Sequence, residues 1–348
     1  MYKRQLIALL VVWTFLTAAL SPERFLSLRS LRSEWIVLTY FVFAWGIGSV
    51  TDVKLILRIL AIASSIVAIT GILQHITGVD WIKHKPIEAW HGTYIAIGLL
   101  GHHITFGVFY SWIFILCFAH SLRNTTQRWN MIWTGCSILS GLAVVYSYSR
   151  AAWLGTVVGI GVAVVLNHLR LTRRAILVLA VLAVAIFAEG QIILRARSVI
   201  PGEEMTKADR TRIQLIETSL KMIKDRPLIG LGPGTFSAEF EKYKVPGDYS
   251  TTCHPHNDIL NFAVRSGIPG SVLFAIIIAL ALRKTASLAK LRLDTTHIGI
   301  ALCAGLASIV ASGLFQCNFT DSEVAIQAWM IIGLSGLLSG AQINRASQ

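Results

Sequence analysis

The stretch YIAIGLLGHHITFGVFYSWIFILCFAH, residues 94–120, decides the class of this fold. It contains no Asp, Glu, Lys or Arg, and it is long enough to approach the ~20 apolar residues that a helix needs to cross a bilayer. Nine more apolar runs repeat it, at residues 6–20, 35–50, 55–77, 131–148, 151–168, 175–189, 268–282, 297–316 and 324–343. Hydrophobic residues make up 54% of the chain and charged residues only 14%, against about 25% charged in soluble domains. Mean hydropathy is +0.64. The expected fold is an all-α polytopic integral membrane protein with about ten (ten to twelve) transmembrane helices. Ala18-Ala19-Leu20-Ser21 is a poor signal-peptide cleavage site, so the first run reads as a retained helix.

One segment breaks the pattern. Residues 191–267 are polar, with short helices expected inside, and long loops in compact proteins usually carry function. The expected organisation is a transmembrane bundle at 1–190, a large periplasmic loop at 191–267 and further transmembrane helices at 268–348.

The net charge of +13 follows topology. With the N-terminus inside, inner loops collect Lys3, Arg4, Lys54, Arg123, Arg128, Arg170, Arg173, Arg174, Arg283, Lys284, Lys290, Arg292 and Arg345. Short outer loops hold Arg24, Arg29, Arg32, Lys83, Lys85 and Arg150, so the split is thirteen against six. This positive-inside bias places both termini in the cytoplasm and the long loop outside. No basic patch interleaved with aromatics points to nucleic acid. Cys117, Cys136 and Cys303 lie in apolar runs as small core residues. Cys253 and Cys317 both fall on the outer side, where a disulfide is feasible.

Several motifs then share the outer side. In Tyr146-Ser147-Tyr148-Ser149-Arg150, the arginine stands between two apolar runs. It reads either as a snorkelling anchor or as a planar fork matched to phosphate oxygens, with Ser149 as an added donor. Asp209-Arg210-Thr211-Arg212 opens an amphipathic helix carrying Ile213, Leu215, Ile216, Leu220 and Ile223 at helical spacing. Arg210 and Arg212 fall at its expected first turn, either as a solvated helix start or as an anion site. Leu228-Ile229-Gly230-Leu231-Gly232-Pro233-Gly234 lacks the Lys-Ser/Thr ending of a phosphate loop and reads as a tight turn. His102 and His103 open an apolar run and line a polar rim.

Cys253-His254-Pro255-His256-Asn257-Asp258 carries two specific readings. Cys, His and Asp are zinc ligands, although the i, i+2 histidine spacing is unlike helical zinc motifs. Alternatively His256 is a general base, with Asn257 orienting the ring or the substrate.

Together these blocks resemble the O-antigen ligase and O-antigen polymerase superfamily of glycosyltransferases that use polyprenyl-diphosphate-linked sugars. The matching blocks are Ser147-Tyr148-Ser149-Arg150 with Trp153-Leu154-Gly155; Arg212 fifteen residues before Pro227, which leads the glycine-rich turn; and His256-Asn257 ahead of Gly267-Ile268-Pro269-Gly270. Arg265 stands where many members carry an acidic residue. The third block is similar to the ligase pattern. The resemblance implies a GT-C-like fold in the bacterial inner membrane, with a metal-independent active site facing the periplasm and no cofactor. It implies an undecaprenyl-diphosphate-linked glycan as donor and lipid A–core, or another glycan, as acceptor. His256 would be the catalytic base, with Arg150 and Arg212 on the pyrophosphate. Arg210, His254, Asn257, Ser149 and His103 would support them. A polymerase and a protein O-oligosaccharyltransferase are the alternatives inside the superfamily. A lipid-linked solute transporter is the alternative outside it, disfavoured because the polar residues gather on one side rather than at the midplane.

Overall fold

The computed structural model describes residues 2–87, 89–90, 92–123, 125–189, 207–247, 249, 254–290 and 295–346. It is 76% helical. Among the described residues, Val50–Thr77, His103–Ser121 and Asp258–Lys290 are long and apolar enough to cross a membrane, and Arg4–Ala19, Arg150–Leu166 and Thr296–Ser312 are shorter apolar helices. The chain forms two compact units.

The larger unit comprises Thr39–Ile200, Leu282–Ser312 and Glu323–Gln348. Its helices include α4 (Val50–Thr77), α5 (His103–Ser121), α6 (Gln127–Tyr146), α7 (Arg150–Leu166) and α8 (Arg173–Ala188). A helix apolar on every face belongs in an interior, and α5 is accordingly buried along nearly its whole length. It packs on α6, α7 and α12 (Thr296–Ser312). Small residues permit the close approach of α7 to α12. A Cβ on Gly155 would lie 2.6 Å from the Ser308 carbonyl, and one on Gly159 would lie 3.1 Å from that of Ala304. Hydroxyls bind the same place: Ser111 and Ser308 are 2.6 Å apart, and Thr156 donates to Ser111 at 2.9 Å. Small faces and interhelical hydroxyl bonds suit a lipid setting, which supplies no hydrophobic drive between helices.

The smaller unit comprises Met1–Leu38, Pro201–Ala281 and Gly313–Ser322. It has α1 (Tyr2–Ala19), α2 (Arg24–Ser30), α9 (Lys207–Asp225), α10 (Phe236–Tyr243) and the first part of α11 (Asp258–Lys290). The polar loop has its own core, with Leu215, Met222, Leu231, Phe236, Phe240, Tyr243, Val245, Tyr249 and Val264 buried together. The glycine-rich stretch is a tight turn. Gly230, Gly232 and Gly234 all have positive φ, and Leu231 and Gly232 donate their N–H groups to the carbonyls of Val264 and Arg265 at 2.8 and 3.1 Å. Buried Arg265 pairs with Glu34, so its charge is matched within this unit.

Three boundaries differ from the sequence expectation. The run at 94–120 is helical only from His103; before it, Gly98 and Gly101 have positive φ, and Gln74 holds the Ile97 and Gly98 amides at 3.2 and 2.7 Å. The run at 35–50 is divided between a 3-10 helix, Leu31–Val37, and a short α3, Leu38–Trp45. The run at 297–316 leaves the helix at Ser312, because the following carbonyls turn to partners near the start of α11. That last departure shapes the candidate site.

Helix α11 is itself broken at Gly267, with φ 69° and ψ 177°, just before Pro269. A Cβ there would meet the Leu228 carbonyl, and the conformation is open almost only to glycine. Gly267→Ala is expected to destabilise the protein by about 1–3 kcal/mol, the usual cost of imposed backbone strain, seen as a lower melting temperature of the detergent-purified chain. An unchanged melting temperature would show that the break is not needed.

Candidate active site

In the smaller unit, the chain enters α11 through His254-Pro255-His256-Asn257. His256 has φ 53°, a left-handed conformation that non-glycine residues hold only where surroundings impose it. The surroundings are the turn at 313–319. Asp258 donates its N–H to the Gly313 carbonyl at 2.8 Å, and its Oδ1 accepts from the Phe319 N–H at 3.1 Å. Asn257 Nδ2 donates to the Leu314 carbonyl at 3.0 Å, while its Oδ1 accepts from the Leu260 N–H at 2.9 Å.

His256 completes the clamp. Its Nδ1 lies 2.6 Å from Gln316 Oε1. An amide oxygen only accepts, so Nδ1 carries the hydrogen and Nε2 is the basic nitrogen. The His254 ring stands edge-on to that of His256, centroids 4.6 Å apart, and its Nδ1 accepts from the His256 backbone N–H at 3.4 Å. His254 thus supports the strained turn.

These contacts bear on two readings. Gln316, not Asn257, meets the His256 ring; both polar ends of Asn257 serve the helix start and the 313–319 turn. Of the zinc reading's ligands, Asp258 uses Oδ1 in the same clamp, and Cys253 lies outside the described residues. So does that half of the considered disulfide, whose other half, Cys317, is buried.

Arg210 and Arg212 also belong to this unit. Helix α9 already runs at Lys207, so Arg212 lies past the first turn where the sequence had placed it. It pairs with Asp209 at 3.9 Å, both side chains about a quarter exposed. Such pairs are worth only a few tenths of a kcal/mol. Arg210 is exposed.

In the larger unit, Ser147, Tyr148 and Ser149 form the sharp link between α6 and α7. Tyr148, with φ 53°, is another of the left-handed non-glycine residues. Ser149 is the N-cap of α7, its Oγ accepting from the Ala152 N–H at 3.3 Å. Half-buried Arg150 follows as the first helical residue. His103 donates from Nδ1 to the Ser147 carbonyl at 2.9 Å, tying the start of α5 to this link.

Sequence reasoning missed what backs the link. The buried Tyr148 hydroxyl donates to Glu189 Oε2 at 2.6 Å, and Glu189 Oε1 lies 3.1 Å from His75 Nε2. His75 Nδ1 is 2.7 Å from the Tyr94 carbonyl, and its ring stacks on Tyr146 at 4.0 Å. Burial, then the hydrogen bond and charge of Glu189, hold the Tyr148 phenol well above its ordinary range, so it remains a donor. The available signal was a lone carboxylate ending the apolar run at 175–189.

With this geometry in view, comparison with known proteins is informative. A family model described as Wzy_C, O-antigen ligase, matches residues 135–275. The stretch contains all three motif blocks: Ser147 to Gly155, Arg212 to Gly234, and His256 to Gly270. The match supports membership of the O-antigen ligase and polymerase superfamily, the resemblance drawn from the motifs. No curated protein matches the chain.

Gln316→Leu removes the acceptor at similar volume. His256 is then expected to pass from one tautomer to a mixture, read by ring-nitrogen NMR on selectively labelled protein. Retention of the single Nδ1–H form would exclude Gln316 as its determinant.

Proposed function

We propose that this protein is a glycosyltransferase that moves a glycan from an undecaprenyl-diphosphate carrier to an acceptor sugar hydroxyl at the periplasmic face of the inner membrane. The acceptor we favour is lipid A–core, as in O-antigen ligation. The observation that carries the reading is the 2.6 Å contact from His256 Nδ1 to Gln316 Oε1. It makes Nε2 basic, on a turn inside the stretch that matches the O-antigen ligase family.

The chemistry balances without a metal or a nucleotide. His256 Nε2 takes the proton from the acceptor hydroxyl as its oxygen bonds to the anomeric carbon. The bond from that carbon to the diphosphate oxygen breaks, and undecaprenyl diphosphate leaves with the electron pair. Negative charge grows on the leaving group, where fixed cations help most in a water-poor site. We assign this task to Arg150 and Arg212, whose planar forks match diphosphate oxygens. Gln316 plays the part of the residue that fixes the tautomer of a catalytic histidine. Lacking a charge, it stabilises imidazolium less than a carboxylate would, which suits a base that must release its proton after each turnover.

The topology we propose has both termini in the cytoplasm and about ten spans. Support comes from the thirteen-to-six charge split and from the larger unit itself. There Arg150 and His103 stand at one end of the helices, while Lys54, Arg58 and Arg123 stand at the other.

His256→Ala is expected to lower glycan transfer by about 10²–10⁴-fold, the range of general-base catalysis, while lipid-linked donor still binds. Normal transfer at saturating donor, with binding lost instead, would make the histidine a binding residue. Arg150→Lys tests the fork: charge is kept and two-pronged geometry lost, so transfer in membranes containing equal amounts of protein should fall by at least about tenfold. Activity equal to wild type would reduce Arg150 to a charge or an anchor.

A further inference from the structure

Helix α5 is read as a span, and its two ends do different things. His103 at its start is tied to the Arg150 link. His120, at the other end, about 26 Å away at the helical rise, borders a cavity of about 470 Å³ lined by Lys54, Arg58, Arg123, Trp129, Trp133 and His297 among others. All these residues belong to the larger unit. All of its lining residues fall outside the matched stretch at 135–275, and the transfer reaction has no use for the cavity.

Its chemistry is one-sided. The lining includes three permanent cations and no carboxylate, and none of the three has an ion pair among the described residues. Arg58 lies over the Trp129 ring, 4.2 Å from its centroid, which holds the guanidinium flat while leaving its N–H edge to bind an anion. Arg123 Nη1 is 3.4 Å from His297 Nδ1. Arginine can only donate, so His297 Nδ1 accepts and its Nε2 carries a hydrogen. His120 is committed elsewhere, bonding through Nδ1 to the Leu116 carbonyl at 2.8 Å and stacking on Trp133 at 4.0 Å. The result is a wall of positioned donors with an aromatic floor.

Phosphate is the group that three clustered cations with fixed donors recognise. The volume falls in the range of small-ligand sites and leaves room for more than the phosphate itself. The cavity sits where α4 and α6 begin and α5 ends, at the level where tryptophans gather at a membrane interface. Basic pockets between helices at that level take lipid headgroups. We propose that this cavity binds the phosphate of an anionic phospholipid headgroup, in the leaflet opposite Arg150.

The test uses the full chain, purified in detergent and freed of native lipid, with binding read by native mass spectrometry. Phosphatidylglycerol, phosphatidylcholine and inorganic phosphate are the probes. Phosphatidylglycerol is expected to bind in preference to phosphatidylcholine. Arg58→Gln and Arg123→Gln should each weaken that binding about fivefold, the effect of one basic residue at a lipid surface. Lys54→Gln should do the same; this half-exposed side chain has little packing to lose, so the test survives if an arginine variant fails to fold. Equal binding of the two lipids overturns the proposal, as does wild-type affinity in Lys54→Gln. Binding of inorganic phosphate without phosphatidylglycerol also overturns it, in favour of a soluble phosphate compound. None of these outcomes depends on glycan transfer.

Discussion

The clamp between residues 256–258 and the turn at 313–319 is the constraint on which the candidate catalytic geometry rests. Four backbone groups, two amide side chains, an imidazole and the Asp258 carboxyl group hold together segments some sixty residues apart, with His256 in a left-handed conformation between them. Without the clamp that conformation would relax, because an unsupported non-glycine residue gains about 1–3 kcal/mol by leaving it. Strain of this kind persists only where neighbouring contacts over-determine the backbone. Here those contacts also determine where an imidazole points and which of its nitrogens carries hydrogen.

The Arg150 link obeys the same logic in the larger unit. Tyr148 adopts a left-handed conformation between two helices, and its hydroxyl is pinned by Glu189, which in turn meets His75. A partly buried carboxylate without partners would be costly. Two hydrogen bonds satisfy it, and in doing so it fastens α8 and α4 to the turn that presents Arg150. Tyr148 stands two residues before Arg150 and His256 is itself the proposed base, and each is held by a polar contact that a purely apolar bundle would not contain.

The class of the fold was legible because apolar composition and helix length are local properties. Each apolar run maps onto a helix or onto helical pieces, and the loop helix at 207–225 was visible from its periodicity. What failed was set by distant partners. The run at 94–120 contains no charge to stop a helix, yet Gln74 draws the Ile97 and Gly98 amides out of it. Asn257 was read as orienting the His256 ring or the substrate, whereas the ring meets Gln316, at the end of a run that read as uninterrupted helix. Asn and Gln offer the same amide, and only the fold decides which one reaches. Arg212 was placed in a first turn because Asp209 looked like a helix start; the helix already runs at Lys207.

The two assigned cations differ in how their charge is prepared. Arg212 pairs with Asp209 on a partly exposed helix face, where an ion pair at 3.9 Å is worth little and screened by salt. Arg150 is the first residue of α7, directly after the Ser149 cap. The N-terminus of a helix carries a positive potential from unpaired backbone N–H groups. Ser149 satisfies the Ala152 N–H, and a guanidinium and a helix N-terminus each favour an anion nearby. A lysine there would keep the helix potential and the charge but lose the fork. In the proposed mechanism the two residues are therefore unequal: Arg150 would add its fork to the potential of a helix start, and Arg212 would act from a partly exposed helix face beside Asp209.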